Sequence, residues 1–301
     1  MTQAGASSSR MLSSIPANPG LIAAVVRVLS FIDDLPSGAT GALRFGDQGL
    51  VLLQDRKVCW AVARTMRVRL TDILRNQSTP PLPREAVEAI FRRCRENNTP
   101  LGEALVASGL ASEAGLRAAL FKHNQEAIVA LARSGLSPDG FAQHSKTGYD
   151  PKFSFSSCEV LAMMGSADDP ARATAAQHEL TDVLVPDSAG AAFTRSSSAS
   201  GVMLIAVDRG CDVPVRDLLE LCSWVAGLFD VAQTFDPGVL AARVAWGPRI
   251  SLVTWRVKDV DHVSLCASRA AAARLVSRVW LRGARTSGVL PVAGPSEKEP
   301  A

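Results

Sequence analysis

Four histidines, six cysteines and a few close-set carboxylates are the groups best suited to acid–base, nucleophilic or metal chemistry in this 301-residue chain. His123, His144, His178 and His262 stand far apart. Cys59, Cys94, Cys158, Cys211, Cys222 and Cys266 are scattered, and none forms Cys-x-x-Cys, the spacing of a zinc knuckle or a thioredoxin-type couple. Such cysteines, in a reducing compartment, serve as small buried hydrophobes. The tightest constellation is Asp259, Asp261 and His262, a carboxylate set beside an imidazole that could exchange protons with a substrate. The same residues also suit a polar turn between two strands. Asp33-Asp34 and Asp168-Asp169 lie beside Pro and Gly and read as loop residues or helix caps. There is no phosphate-binding Gly-x-x-x-x-Gly-Lys-Ser/Thr, no Gly-x-Gly-x-x-Gly, no His-Glu-x-x-His and no Gly-x-Ser-x-Gly. The expectation is a binding or regulatory protein with no catalytic residues, no metal and no cofactor.

Composition narrows the class further. Apolar residues make up 47% of the chain and charged residues 20%, enough to build ordinary cores and too apolar for a disordered chain. The length fits two domains. No apolar run approaches the ~18–20 residues of a membrane span. The apolar run at 21–26 ends at Arg27, short of the ~7–15-residue core of a secretory signal, so a cytoplasmic location is expected. Net charge is only +3 and aromatic residues are 5%, which argues against a nucleic-acid partner. Arginine outnumbers lysine 26 to 6, a bias that fits a GC-rich genome.

The elements that must position these groups follow from periodicity and breakers. Residues 1–17 are small and polar and read as a disordered tail. Asn18 and Pro19 open a helix carrying Ile22, Val25, Val26, Leu29 and Ile32. Three short strands follow, 42–45, 50–54 and 57–63, the last with Val58, Trp60 and Val62 on one side. A short helix at 70–74 precedes Pro80, Pro81 and Pro83. Three helices come next: 84–96 burying Val87, Ile90, Phe91 and Cys94, a short one from Pro100, and a long one capped by Ser112 and stopped by Gly135. Phe153-Ser154-Phe155 alternates as a strand, and a helix covers about 159–164. The stretch 165–170 reads as a linker. Beyond it lie helix 171–184, strands 191–195 and 202–208, helix 214–232, strands 239–246, 250–257 and 261–267, and helix 268–282, with a loose tail over 283–301. The fold class expected is α+β. A helical and short-stranded antiparallel domain (18–165) is followed by a five-stranded antiparallel sheet with flanking helices (171–282).

The first unit resembles the PatA amino-terminal (PATAN) domain of bacterial signalling proteins. The likeness is carried by Gly41-Ala42-Leu43, Gly49-Leu50-Val51, Arg56-Lys57-Val58 with Ala61, Leu101-Gly102 with Leu105-Val106 and Gly109-Leu110, Phe153 and Phe155, and Glu159-Val160-Leu161 with Gly165. It covers about residues 20–165. Where the family usually places a Gly after the third strand, this chain has Thr65-Met66-Arg67-Val68-Arg69. The resemblance implies a regulatory interaction domain with no catalytic residues. The stretch from Leu101 to Gly109-Leu110, followed by Leu116 and Leu120, is also similar to the cyclic di-GMP-binding amino-terminal module of secretion ATPases. That likeness implies a dinucleotide receptor as an alternative function, although Pro100 stands where the module has its Arg, and the motif is single. The order α-β-β-α-β-β-β-α of the second unit resembles the Roadblock/dynein-light-chain fold, which implies dimerisation and a small Ras-like GTPase as partner.

Helix 214–232 carries two apolar stripes. Val215, Leu218, Leu219, Cys222, Val225 and Phe229 form one, and Leu221, Trp224, Leu228 and Val231 lie nearly opposite. One stripe suffices to cover a sheet, so the second calls for another cover: a second copy, a protein partner or the first domain. Arg274, Arg278 and Arg282 repeat every four residues on the last helix, a basic ridge suited to an acidic partner or to solvent. The combined expectation is a non-enzymatic bacterial signalling adaptor acting through Leu221, Trp224, Leu228 and Val231, as a homodimer or with a protein partner such as a small GTPase or a motility or secretion regulator, without membrane insertion; an enzyme with a non-standard site is the further alternative.

Overall fold

A computed structural model describes residues 19–77, 83–97, 101–144, 150–195, 201–235, 241–245 and 250–287. The Asn18 cap, Pro80 and Pro81, Pro100, the loop at 196–200, the Gly247-Pro248 turn and the outer parts of both tails lie outside the described residues.

The architecture is mixed α+β with two antiparallel sheets. In chain order the elements are α1 (Pro19–Asp33), β1 (Gly41–Arg44), β2 (Gly49–Gln54), β3 (Lys57–Ala63), α2 (Leu70–Gln77), α3 (Arg84–Asn97), α4 (Leu101–Ala107), α5 (Glu113–Ser134), β4 (Gly140–Gln143) and α6 (Ser157–Ser166). Then come α7 (Pro170–Val183), β5 (Ser188–Arg195), β6 (Val202–Val207), α8 (Val215–Phe235), β7 (Ala241–Ala245), β8 (Ser251–Val257), β9 (Val260–Cys266) and α9 (Arg269–Ser287). The first sheet runs β3-β2-β1-β4 and the second β6-β5-β9-β8-β7. The molecule is layered. The first sheet packs on α1 and α5, α1 packs on α6 and α8, these lie on one face of the second sheet, and α7 and α9 cover its other face. Helix α1 is apolar on several sides because it is enclosed between the two sheets.

Local chemistry accounts for most boundaries. Asp55 and Arg56 both adopt positive φ, 53° and 60°, the two-residue turn whose twist matches a hairpin. Ser112 accepts from the Gly115 amide at the start of α5, and Gly135 closes it at φ 70°. Ser156 and Glu159 form a reciprocal capping box on α6.

The structure corrects the sequence expectations in five places. The 153–155 stretch is not a ladder strand: residues Pro151–Phe153 make a 3-10 turn, and Phe155 contributes a single bridge to Val58. The missing strand is β4, whose pairing with β1 brings its backbone so close to Gly41 that a Cβ there would meet the Ala142 carbonyl at 2.4 Å. In β3 the alternation breaks: Leu52 pairs with Trp60 but Leu53 with Val58, so Cys59 is the extra residue of a bulge. Val58 and Ala61 therefore face the central core, and Trp60 turns to the α2–α4 side. Phe91, expected in the core, is 51% exposed.

The fifth correction concerns the linker. Gly165 and Ser166 belong to α6, and α7 begins four residues later on the Asp169 cap. A Cβ on Gly165 would lie 2.0 Å from the Leu204 carbonyl, so α6 is pressed onto β6 of the second sheet. A single apolar core runs through α1, the first sheet, α5, α6, α8 and one face of the second sheet. Burying that shared face outweighs the looseness that Gly, Ser and Asp would otherwise give the junction.

Candidate functional site

Helix α8 places its first stripe, Val215, Leu218, Cys222, Val225 and Phe229, in the core. Its second stripe divides. Leu221 is only 8% exposed, taken into the core that α8 shares with α1 and α6. Leu228 is half-buried. Trp224 is 46% exposed, Val231 59% and Phe235 85%. Residues 224, 228, 231 and 235 follow a 4-3-4 spacing, so they form one line along the outer face. The first unit thus covers the amino-terminal end of the stripe, and the last three turns keep Trp224, Val231 and Phe235 exposed and Leu228 half-buried. This segment is held firmly. Arg256 of β8 donates to Gln233 at 2.8 Å, stacks over the Phe229 ring at 4.8 Å and binds the buried Asp261 carboxylate through two nitrogens. Arg195 and Asp230 form an ion pair at its edge, 2.5 Å apart.

The amino-terminal end of α8 is tied to the first unit by Asp33, whose carboxylate accepts from the Val215 amide at 2.7 Å. Burial pushes the Asp33 carboxyl upward, against the opposing effects of that bond, Ser157 and Arg56. Beside it, the Cys158 thiol donates to the Val213 carbonyl at 2.9 Å and neighbours Cys211. All six cysteines are buried.

The proposed basic ridge is largely committed within the fold. Arg282 pairs with Glu179 and Asp182 of α7, and Arg278 donates to the Leu184 carbonyl past the end of that helix. Arg274 stands exposed. The ridge is chiefly a seam between α9 and α7.

Asp259, Asp261 and His262 do not converge. Asp259 lies in the exposed β8–β9 turn and pairs with Arg172 at 2.5 Å. Asp261 and His262 are neighbours on a strand and so point to opposite faces. Asp261 faces Arg256, whereas His262 stacks on Trp255 with ring centroids 5.0 Å apart. Burial lowers the His262 pKa to about 4, against the backbone groups of Val260 and Trp255, with which neither ring nitrogen makes a well-formed hydrogen bond.

The sequence reading missed one site. The bulge in β3 sets Trp60 against His123 of α5 in a stacked pair, ring centroids 4.1 Å apart and planes 29° from parallel. The pair borders a cleft of about 630 Å³ between β3, α2 and α3. The next residue, Asn124, is fully buried and clasps the bulge, accepting from the Ala61 amide at 2.9 Å and donating to the Cys59 carbonyl at 3.4 Å. The available signal was the polar run His123-Asn124-Gln125 between the apolar turns at Leu116–Leu120 and Ile128–Leu131 of α5.

The segment matched to the dinucleotide module packs helices together. Leu105 and Leu116 are buried, and Gly102 lies against Leu116. No group of three or more His, Cys, Asp or Glu residues among those described could hold a metal ion. The chain matches no protein-family model, no curated protein and no solved structure.

Proposed function

We propose that this chain is a non-enzymatic regulatory adaptor that works by protein–protein contact and associates with a second copy of itself through the outer face of α8. The observation that carries this reading is the exposed line Trp224, Leu228, Val231 and Phe235, on a helix whose other face is locked into the core. Two such lines set antiparallel about a two-fold axis cover each other, as a self-complementary patch does. Fully burying large apolar side chains is worth roughly 1.5–3 kcal/mol each. Four on each copy, partly exposed already, give on the order of 10 kcal/mol gross. The rigid-body cost is of similar size, about 4–15 kcal/mol. A concentration-dependent dimer is the expected outcome.

The PATAN and Roadblock likenesses support a signalling role in a bacterial cytoplasm and point to a small Ras-like GTPase as a further partner on the remaining faces. The apolar length of α8, 21 residues, also satisfies the size of a membrane span. Its buried stripe and the Arg195–Asp230 ion pair at its edge favour protein contact instead. Cyclic di-GMP binding, the alternative reading, draws no support from Leu105, Leu110, Leu116 and Leu120, which serve the core.

Size-exclusion chromatography with light scattering tests the dimer. The unmodified protein is expected to pass from monomer to dimer mass as concentration rises into the high micromolar range. Trp224→Asp is expected to remain monomeric while keeping its helical circular dichroism. A monomer at every concentration, or a dimer untouched by Trp224→Asp, overturns the proposal.

A further inference from the structure

We infer that the cleft beside Trp60 binds a small planar aromatic anion, its ring stacked on the indole and its charge held by Arg69 and Arg92. The cleft's volume of about 630 Å³ lies within the ~300–1,000 Å³ of small-molecule sites. Three features point to this class of ligand.

The first is the stacking platform. His123 covers one side of Trp60 and holds the indole flat, while Trp60 itself remains half-exposed along the cleft. An indole backed in this way offers a rigid π surface, at little entropic cost, to a second ring. The β3 bulge exists at this position and is braced by Asn124, so the orientation of Trp60 is fixed by buried hydrogen bonds. Across the cleft, Phe91 is 51% exposed and Val68 and Met66 are half-buried, apolar walls that no described side chain fills.

The second is charge. Arg69 reaches the cleft from the loop after β3, and Arg92 reaches it from α3. Both are exposed. One carboxylate, Glu88, borders the same space, so the cationic groups prevail. Guanidinium groups bind planar carboxylate and phosphate oxygens in bidentate fashion and stack on aromatic rings, so a flat anionic ligand suits them on both counts.

The third is His123. It is more than nine-tenths buried behind the indole, and its ring nitrogens make no well-formed hydrogen bond. Burial holds its pKa below the ordinary histidine value, against the opposing effect of the Ala61 backbone, so at neutral pH the ring is an uncharged, flat backing that leaves the other face of the indole for a ligand.

Nuclear magnetic resonance on the full-length protein tests the site. Trp60→Phe assigns the Trp60 indole N–H signal among the five tryptophans. Adenosine 5′-monophosphate and naphthalene-2-carboxylate serve as probes, with adenosine and inorganic phosphate as controls. The expected result is a saturable shift of that signal at sub-millimolar concentration of at least one probe. Adenosine should bind at least tenfold more weakly than its monophosphate, and phosphate alone should leave the signal unmoved. A response to the monophosphate alone marks the natural ligand as a nucleotide, and a response to the naphthoate alone marks it as an aryl carboxylate. The double variant Arg69→Gln/Arg92→Gln, both at exposed positions, should weaken binding about tenfold with an unchanged fold. No shift with either probe up to 10 mM, or equal binding of adenosine and its monophosphate, overturns the proposal.

Discussion

Trp255 and His262 face each other across β8 and β9 in the core covered by α7 and α9. Their polar atoms, Trp255 Nε1 and both nitrogens of His262, make no well-formed hydrogen bond there; the Glu179 carboxylate lies near the indole and the backbone of Val260 and Trp255 near the imidazole. The imidazole is thus a core side chain that must stay neutral. Its pKa falls from about 6.5 in the unfolded chain to about 4 in the fold. A depressed histidine pKa means that the unfolded chain binds the proton more readily, so stability is complete above about pH 6.5 and is lost as pH falls toward 4. The group contributes a loss of about 2 kcal/mol between pH 7 and pH 5. Raised carboxyl groups at Asp33 and Glu179 act in the opposite sense, so the isolating measurement is a difference. Urea unfolding of His262→Phe should match or exceed the unmodified protein at pH 7 and show the larger advantage at pH 5. Equal losses in both proteins would refute the assignment. At this scale the sequence was partly legible. It read Asp259, Asp261 and His262 as a polar turn between two strands, whereas Asp261 and His262 lie within β9, and which face each takes follows only once the register of that strand is known. Arg117 was invisible: it lies 2.6 Å from Glu159, donates to the Ser154 carbonyl and rests on Phe155, all partners more than 35 residues away in the chain.

Elements defined by periodicity and caps were read closely. The hairpin through Asp55-Arg56, the Ser112 cap, the Gly135 stop and the length of α8 all rest on local chemistry, and the structure places them where the local signals are. Strand β4 was missed because four residues, Gly140–Gln143, carry too little alternation to stand out, and their pairing partner β1 is about a hundred residues earlier. The β3 bulge was missed for a related reason. A run such as Lys57-Val58-Cys59-Trp60-Ala61-Val62-Ala63 fits regular alternation equally well, and only the buried amide of Asn124 shows that the ladder is broken. That amide meets backbone groups the bulge would leave unpaired. Asn124→Leu removes both bonds and leaves the buried Ala61 N–H unsatisfied, at a cost of about 2–3 kcal/mol. Thermal unfolding should drop by several degrees, and the Trp60 environment should change in near-ultraviolet circular dichroism. An unchanged midpoint would show that the bulge does not depend on its clasp.

At the scale of the whole molecule, sequence reading gave two units and a linker, and the structure joins them. The composition of 165–170 resembles a linker because glycine and small polar residues serve two opposite needs, flexibility and close approach, and only the partner surface tells which applies. Here Gly165 lets α6 settle onto β6, Asp33 at the end of α1 caps α8, and Arg117 locks α5 to α6. The same interlock explains why the second stripe of α8 is divided. Its Leu221 end is spent inside the molecule on α1 and α6, and its Trp224–Phe235 end stays largely exposed. A core shared in this way should make the two halves unfold together. The full chain is expected to show one transition in guanidinium, with coincident circular dichroism and tryptophan fluorescence midpoints. Gly165→Ala, whose added methyl group would lie 2.0 Å from the Leu204 carbonyl, forces α6 off β6 and is expected to cost about 2–3 kcal/mol, as overpacking does. It should lower both midpoints equally, because neither sheet keeps its cover without the other. Two separated transitions, only one of them moved by Gly165→Ala, would show that the halves fold independently and that their shared apolar face is incidental to stability.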